Sequence, residues 1–262
     1  MPILKEWAFL YFRKGKMMNK DSKNKSTKAL IKLAEDYYEK ERSSGLSSKD
    51  LKRYKKYPHF FVIGCLMDRQ IKANNAWSIP YAIEQQLGTP DIMEWNKCSA
   101  KKIFTIFKKH TKHRFKENMA DVFCEAVKRI VEVYDGDASR IWKNSENCAD
   151  VICNFLAFKG CGIKIATMAV NILTRMMHVK LKHMESLDIS PDSQVKKIMI
   201  NLGLIDEKAS NEMIIYKARD IYPEYPGKLD PFLWYIGSHF CIAPQKCCSQ
   251  CPINSLCFKK EA

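Results

Sequence analysis

Residues 158–166 read FKGCGIKIA and separate two stretches in which apolar residues recur at helical spacing. Glycines at positions 160 and 162 allow a tight turn with positive φ angles. They also leave backbone N–H groups uncovered at the start of the next helix, where phosphate binds readily. A Gly-x-Gly sequence is equally typical of an ordinary turn between helices. The stretch therefore predicts two helices joined by a short hairpin, with a phosphate-binding turn as one of two interpretations.

The same helical spacing continues through most of the chain, whereas alternating strand-like runs are scarce. Glycine and proline residues interrupt the pattern often enough to give helices of ordinary length. The sequence therefore predicts an all-α fold. Residues 15–28, which are rich in Lys, Asn and Ser, instead indicate a flexible linker or arm. The predicted helical stretches are residues 29–41, 60–87, 120–134, 148–158 and 163–179.

The charge balance indicates a polyanionic partner. The 262 residues include 44 Lys and Arg against 29 Asp and Glu, a formal charge of +15, which favours nucleic acid over an anionic membrane surface. Residues 1–28 and 101–116 are strongly basic, and the second stretch interleaves its lysines with Ile and Phe residues at positions 103–107. This pattern predicts an amphipathic element whose basic side faces either solvent or a phosphate backbone. No apolar run is long enough to cross a bilayer, so we expect no membrane partner.

Eleven cysteines would suit a secreted disulfide protein, but Lys5, Glu6, Arg13 and Lys14 interrupt the apolar stretch near the N-terminus, so a signal peptide is not predicted. We therefore expect a reducing compartment, the cytoplasm. In that setting scattered cysteines are typical of small core residues, whereas clustered cysteines indicate metal ligands. Six of the eleven are scattered between residues 65 and 161, and the other five lie near the C-terminus.

The C-terminal cysteines follow the spacing Cys241-x6-Cys248-x2-Cys251-x5-Cys257, which places four thiols within 17 residues. A loop this short can fold around one polynuclear iron–sulfur centre without a long-range closure cost. Four thiolates also satisfy a zinc ion, although zinc ribbons usually present two close cysteine pairs and only Cys248 and Cys251 have that spacing. The spacing therefore favours an iron–sulfur cluster over zinc. Cys247 is a spare thiol, and its use as a ligand would break the pattern.

The hairpin followed by this cysteine loop resembles the endonuclease III superfamily of helix-hairpin-helix DNA glycosylases. Members close with the same cysteine spacing around a 4Fe-4S cluster. Their hairpin usually reads Leu-Pro-Gly-x-Gly-x-Lys-x-Ala, and this chain has Phe158 and Lys159 in place of Leu-Pro. The resemblance covers residues from about 58 to 257 and implies an all-α, two-lobed fold. The implied ligands of the 4Fe-4S cluster are Cys241, Cys248, Cys251 and Cys257.

The resemblance also implies how the chain divides into lobes. The first lobe would be a helical barrel over residues 58–180 that contains the hairpin motif at about residues 148–178. The second would combine residues 1–57 with residues 181–262, including the cluster loop at 241–257. DNA would lie across the cleft between the two lobes.

Lys164 falls on the position that carries a nucleophilic lysine in family members able to cut the strand as well as remove the base. An amine attacks the sugar C1′ only when it is unprotonated. The positive end of the helix dipole and partial burial are expected to depress the pKa of Lys164. The alternative interpretation is a surface lysine that contacts phosphate.

Asp192 follows Pro191 and precedes a predicted helix, so the sequence by itself predicts an N-cap. The segment resembles the family's Val-Asp-x-His-Val-x-Arg stretch, with Gln194 where His is common and Lys197 where Arg is common. The resemblance therefore implies that Asp192 is the catalytic aspartate, which would stabilise positive charge on a sugar losing its base. Asp188 is a second, less well-placed candidate.

Residues 67–73 are predicted to lie on an early helix and resemble the family segment whose glutamine fills the gap left by the flipped nucleotide. Gln70 is the candidate for this role, with Arg69 beside it, because a side-chain amide can replace the hydrogen bonds of the lost base. A plain surface glutamine is the alternative. The other expected DNA contacts are Lys159, Gly160 and Gly162 in the hairpin, and Lys246, Lys259 and Lys260 flanking the cluster loop.

The function implied by the resemblance is base-excision repair. The enzyme would flip a damaged base out of double-stranded DNA, cleave its N-glycosidic bond, and cut the strand by β-elimination through a Schiff base on Lys164. We expect a cytoplasmic, nucleoid-associated monomer that binds DNA containing a damaged base or an abasic site. Two alternatives keep the fold: a monofunctional glycosylase in which Lys164 only contacts phosphate, and a non-catalytic iron–sulfur protein that binds DNA.

Overall fold

The computed structural model describes residues 20–40, 48–242 and 247–258. This part of the chain forms thirteen α-helices and four short 3-10 helices, with no β-strand beyond an isolated bridge between Asn147 and Lys182. The prediction of an all-α fold is therefore confirmed. None of the helices in the described residues is both long enough and apolar enough to span a membrane.

The helices of the N-terminal two thirds are α1 (Lys20–Lys40), α2 (Ser48–Lys56), α3 (Pro58–Leu66), α4 (Ala73–Leu87), α5 (Ile92–Asn96), α6 (Ala100–His110), α7 (Lys116–Tyr134), α8 (Arg140–Lys143), α9 (Cys148–Leu156) and α10 (Ile163–Arg175). The later helices are α11 (Ser193–Asn201), α12 (Asn211–Ile221) and α13 (Asp230–His239). The 3-10 helices lie at Met184–Ser186, Pro226–Leu229, Cys248–Gln250 and Asn254–Leu256.

Two clusters of buried apolar side chains organise these helices. The first lies among α2 to α10 and contains Phe60 and Phe123. The second joins α1 to α11, α12 and α13 and contains Leu30 and Phe232. Each cluster removes a continuous apolar surface from water, which is the main favourable contribution to folding. The described chain therefore has two lobes, and its first helix belongs to the second of them.

The edges of the two clusters differ from the predicted lobe boundaries. Tyr54 on α2 is buried in the first cluster, with its ring 6.0 Å from the rings of Phe61 and Trp77. Leu187 is buried in the first cluster as well. The boundaries drawn from sequence, a first lobe over residues 58–180, place both side chains in the second lobe. The difference arises because side-chain packing sets a boundary, and local periodicity does not report packing.

The predicted helix over residues 60–87 is two helices. Helix α3 ends at Leu66, α4 begins at Ala73, and the chain reverses between them so that the two helices pack together. A Cβ atom added at Gly64 would lie 2.4 Å from Cε3 of Trp77, so this ring packs directly on the backbone of α3. The break is therefore imposed by tertiary packing, which overrides the helical spacing that continues across the turn.

Helix α1 begins at Lys20, so part of the predicted linker at residues 15–28 is helical. The helix packs on the second lobe, where the ring of Tyr37 lies 4.9 Å from the ring of Tyr235. Leu30 is the first buried residue of α1 among those whose side chains are described. The polar residues that precede it have no buried apolar face, so they show no apolar residues at helical spacing. The basic residues that precede Lys20 lie outside the described residues.

The basic stretch at residues 101–116 covers most of α6 and the segment that follows it. Ile103 and Phe107 are buried, while the lysines of the helix are exposed, so the predicted amphipathic element is confirmed. Beyond the helix, Nε2 of the buried His113 donates a hydrogen bond to the backbone oxygen of Met67 at 3.2 Å. This bond places the basic stretch beside the turn between α3 and α4.

Candidate active site

The hairpin turn joins α9 to α10. Gly160 has a φ of 78°, and a Cβ atom there would lie 3.1 Å from Cγ2 of Val122 and 3.2 Å from Nη1 of Arg69. The backbone angle and the close contacts both favour glycine. Gly162 differs, since it has a φ of −96° and is the N-cap of α10. The sequence allows positive φ angles at both glycines, but the structure has one only at Gly160. Because the N-cap residue Gly162 has no side chain, the first turn of α10 has no side-chain cap.

Lys164 lies in the first turn of α10 and brings three segments together. Its Nζ atom lies 2.7 Å from Oδ2 of Asp68 and 3.5 Å from Oδ2 of Asp192. The Lys164 side chain is 31% exposed, against 14% for Asp68 and 17% for Asp192, so the amine reaches solvent between two mostly covered carboxylates. The two catalytic candidates predicted from the sequence, Lys164 and Asp192, therefore lie within ion-pair distance of each other. We call Asp68, Lys164 and Asp192 the amine site.

Opposing effects act on the pKa of Lys164. Burial lowers it because the ammonium loses water, whereas the carboxylates of Asp68 and Asp192 raise it through charge and hydrogen bonding. The carboxylates together outweigh burial, and the pKa of Lys164 lies above its ordinary value. The expected depression of this pKa is therefore wrong for the protein without DNA. The sequence showed the start of the helix but not the carboxylate of Asp68 that faces the amine.

Asp192 is the N-cap of α11, as its position after a proline predicts. Its Oδ1 accepts a hydrogen bond from the backbone N–H of Gln194 at 2.8 Å. This bond satisfies one of the free N–H groups at the start of α11. Its other oxygen, Oδ2, faces Lys164. Capping and ion pairing therefore use different oxygens and occur together.

The loop before Asp192 is held by buried polar groups. The backbone N–H of Ser190 donates to Oδ2 of Asp230 at 3.0 Å, and the Thr167 hydroxyl donates to the Ser190 hydroxyl at 3.1 Å. Burial raises the pKa of Asp230 to about 6. Thr167 lies on α10, close to one turn after Lys164, so these bonds fix the loop relative to the amine.

The other carboxylate candidate, Asp188, is engaged elsewhere. It is buried and accepts two hydrogen bonds from Arg219 of α12, at 2.6 and 2.8 Å. A bidentate pair of this kind occupies both carboxylate oxygens. Asp188 therefore connects its loop to α12 and is not part of the amine site.

The DNA contacts predicted at residues 69–70 and in the hairpin lie on the segments that carry the amine site. Gln70 and Arg69 are exposed, but they lie in the turn between α3 and α4, where Gln70 has a left-handed φ of 52°. The helix predicted over residues 67–73 is wrong, because the packing of Trp77 on α3 requires the chain to turn there. Arg69 approaches Gly160, so the turn and the hairpin share one surface. Lys159 is exposed and pairs with Asp121 of α7 at 2.5 Å.

All four predicted cluster ligands line one pocket in the second lobe, beside apolar side chains of α11 and α13. The Nδ2 amide of Asn201 donates a hydrogen bond to the sulfur of Cys241 at 3.2 Å, and Nζ of Lys197 donates to the backbone oxygen of Cys241 at 2.6 Å. Cys247 is exposed and is not among the lining residues. The lining cysteines are Cys241, Cys248, Cys251 and Cys257.

Within residues 20–40, 48–242 and 247–258, no three His, Cys, Asp or Glu side chains converge on a position for one metal ion, as ligands of zinc must. The eleven cysteines form no disulfide bond. The predicted basic flank of the loop, Lys246, Lys259 and Lys260, lies outside the described residues.

The arrangement of helices matches solved structures of DNA glycosylases. An endonuclease III trapped as a covalent intermediate with DNA aligns over 92% of this chain and 97% of its own, with a TM-score of 0.61 and 14% identity. A thermostable thymine-DNA glycosylase aligns over 91% of this chain and 98% of its own, with a TM-score of 0.61 and 14% identity. The chain has the helix-hairpin-helix DNA glycosylase fold.

This glycosylase fold also matches the 8-oxoguanine glycosylase/lyase of Clostridium acetobutylicum in complex with double-stranded DNA. The alignment covers 79% of this chain and 68% of that protein, with a TM-score of 0.53 and 16% identity. No protein-family model matches the sequence, and no curated protein matches it either. Identities this low establish a common fold and leave the chemistry to the side chains of the amine site.

Asp68 is the member of the amine site that the sequence did not single out. In the glycosylase fold it follows α3 closely and lies 96 residues from Lys164 along the chain, so no spacing relates the two. The available signal is a charged residue just after a helix in which eight of nine residues are buried. A polar side chain at the end of such an element is a candidate for function, because the element holds it rigidly at a surface.

Proposed function

We propose that this protein is a DNA glycosylase of base-excision repair that also cleaves the strand at the resulting abasic site. The amine site is the observation that carries the proposal: a lysine at the start of the hairpin helix faces an aspartate that caps α11, in a chain with the glycosylase fold. Lys164 would be the nucleophile, and Asp192 would stabilise positive charge on the sugar. The substrate would be double-stranded DNA containing a damaged base or an abasic site.

The reaction would begin with extrusion of the target nucleotide, because C1′ is not accessible to the amine within a stacked duplex. Lys164 loses a proton and attacks C1′, and the base leaves with the electron pair of the C1′–N bond. Asp192, whose Oδ1 accepts the N–H of Gln194, would place its carboxylate beside the positive charge that builds on the sugar. The nitrogen lone pair would then open the sugar ring, breaking the C1′–O4′ bond while O4′ takes a proton, and leave a protonated Schiff base. This Schiff base acidifies the C2′ hydrogen, and loss of that proton would expel the 3′ phosphate by β-elimination and cut the strand.

DNA binding is supported by a basic surface beside the amine site. His113 bonds this surface to the turn that carries Asp68 and Gln70, so phosphate contacts along α6 would bring the duplex to the amine. Gln70 would fill the gap left by the extruded nucleotide, and the first turn of α10 after Gly162 would offer N–H groups to a phosphate. The exposed basic residues proposed to contact DNA are Lys101, Lys102, Lys108, Lys109, Lys112, Arg114, Arg69 and Lys159.

The four-cysteine pocket is proposed to bind a 4Fe-4S cluster. The four thiols line one pocket, and the Asn201 amide donates to the sulfur of Cys241 as donors commonly do around clusters. When bound, a cluster would hold residues 241–257 together beside α11 and α13 and supply a redox-active centre. Reduced thiols are required, in agreement with the expected cytoplasmic location.

A panel of duplexes, each carrying one damaged base or one abasic site, tests the glycosylase and lyase proposal. Borohydride reduces a Schiff base to a stable covalent adduct between protein and DNA. We expect an adduct and strand cleavage with at least one duplex, and loss of both in Lys164→Ala. Lys217→Ala is the matched control, because Lys217 is also ion-paired, with Asp220 at 2.7 Å, but lies on α12 outside the amine site.

A monofunctional glycosylase is the second candidate. The raised pKa of Lys164 favours it, since an ammonium does not attack C1′. In that case the wild-type protein releases a base and leaves an abasic site, and borohydride yields no adduct. Tight DNA binding with neither base release nor adduct on any duplex would identify a non-catalytic DNA-binding protein instead.

A further inference from the structure

The carboxylate nearest to the amine has no role in the function proposed above. Oδ2 of Asp68 accepts a hydrogen bond from Nζ of Lys164 at 2.7 Å, whereas Oδ2 of Asp192 lies 3.5 Å from the same nitrogen. Asp192 also accepts the capping bond of α11 on its other oxygen. One carboxylate is therefore fixed to a helix start and the other is bonded directly to the amine, an arrangement that favours different tasks for the two.

We propose that Asp68 is a positioning residue for Lys164, which holds the amine in the site and takes the proton that the amine loses as it attacks C1′. The proposal rests on the lyase function proposed above. In this step an N–H bond of Lys164 breaks, an O–H bond forms on Oδ2 of Asp68, and the freed lone pair of Nζ forms the bond to C1′. The electron pair of the C1′–N bond leaves with the base. On an abasic aldehyde, the electron pair moves to the carbonyl oxygen, which takes a proton from water.

The support of Asp68 suits this task. Its backbone N–H donates to the backbone oxygen of Cys65 at 3.1 Å, and the N–H of Met67 donates to the backbone oxygen of Ile63 at 2.9 Å. These two bonds attach the backbone of Asp68 to the last turn of α3. The oxygen of Met67 is held in turn by the buried His113. The hydrogen bond from Lys164 to Asp68 is already formed and the carboxylate is already held in place. Transfer of the proton from Nζ to Oδ2 therefore requires little movement of the surrounding protein.

The competing explanation is that Asp68 only stabilises the ammonium, and the two explanations predict opposite effects of Asp68→Asn. If Asp68 takes the proton, the neutral amide cannot replace it. The single-turnover rate of borohydride trapping on an abasic duplex then falls about 100-fold at neutral pH, and the defect narrows at alkaline pH as hydroxide removes the proton. If Asp68 only pairs with the ammonium, loss of its charge lowers the pKa of Lys164, and trapping becomes faster or extends to lower pH.

Two further variants complete the experiment. Asp68→Glu keeps a carboxylate and is expected to retain more of the trapping rate than Asp68→Asn. Asp220→Asn removes the exposed carboxylate that pairs with Lys217 on α12 and controls for the change in charge. Trapping by the wild-type protein with an undiminished or faster rate in Asp68→Asn overturns the role of Asp68 alone. Absence of any adduct with the wild-type protein overturns the lyase function, and the role of Asp68 with it.

Discussion

The amine site and the cysteine pocket are assembled in opposite ways. The amine site draws Asp68, Lys164 and Asp192 from three distant segments, each attached to the end of a packed helix. The cysteine pocket takes all four sulfurs from residues 241–257, a stretch in which the described residues form two 3-10 helices. Core packing therefore sets the geometry of the amine site, whereas a local loop and its proposed cofactor set the geometry of the pocket. Perturbations of packing and of metal binding should act on different sites.

The largest expected effect breaks the pocket by removing a ligand. Cys248→Ser eliminates one of the four lining sulfurs, so we expect it to lose most of its bound iron, its visible absorption and part of its thermal stability. Cys247→Ser is the matched control, because that neighbouring thiol is exposed and does not line the pocket. Iron content per chain, measured on protein purified without air, distinguishes the two variants. Equal iron in both would contradict the ligand assignment.

A smaller effect concerns Asp230, which holds the loop of the amine site from a buried position. Burial raises its pKa from 3.8 to about 6, so between these values the folded protein binds a proton that the unfolded chain has released. The stabilisation from this group is complete below about pH 4 and is lost as the pH rises to about 6, by up to about 3 kcal/mol. The free energy of unfolding of Asp230→Asn should not fall in this way, because an amide does not titrate.

Free energies of unfolding, measured across this range for the wild-type protein and Asp230→Asn, give the difference directly. We expect the variant to gain stability relative to the wild-type protein as the pH rises. A difference that does not vary with pH would show that the Asp230 carboxyl does not titrate in this range.

Packing in the first lobe should also reach the amine site. The methyl group added by Gly64→Ala would lie 2.4 Å from the Trp77 ring, so either the ring or α3 must move. We expect a loss of about 1–3 kcal/mol of stability, together with slower borohydride trapping because Asp68 follows α3. Iron content should stay unchanged, since the cysteine pocket lies in the other lobe. A variant with wild-type stability and trapping rate would contradict this dependence.

The smallest expected effect separates the two hairpin glycines. Gly160→Ala forces a side chain into a left-handed backbone conformation against Val122, and we expect a loss of about 1–2 kcal/mol. Gly162→Ala has no atom within 4 Å of the added Cβ, and its φ is an ordinary one, so stability should change little. Denaturant unfolding of both variants provides the comparison. Equal losses would indicate that the turn conformation differs from the one described here.

Several features of the fold and site could be predicted because they depend on neighbouring residues. Helical spacing predicted the all-α fold, the glycines at 160 and 162 predicted the hairpin, and the proline before Asp192 predicted its capping role. The cysteine spacing singled out the four cysteines that line the pocket, and Cys247 is not among the lining residues. These signals are local, and the structure retains them.

Other features could not be predicted because they arise from contacts between distant segments. The turn after α3 is imposed by the packing of Trp77 on Gly64, and the sequence across it continues to favour a helix. The same turn places Asp68 against Lys164, 96 residues away, and reverses the expected shift in the pKa of that lysine. The missing residue and the wrong pKa direction therefore have one cause, the reversal of the chain between α3 and α4.

The amine site also straddles the two hydrophobic clusters. Lys164 and Asp68 extend from helices of the first cluster, whereas Asp192 begins a helix of the second. A change in how the two lobes pack would therefore alter the distance between Asp192 and the amine before the bond between Lys164 and Asp68, and the Thr167–Ser190 hydrogen bond opposes such a change. A duplex bound in the proposed way and in contact with both lobes would control this distance. Distances between spin labels on α4 and α12, measured with and without DNA, would reveal such a motion.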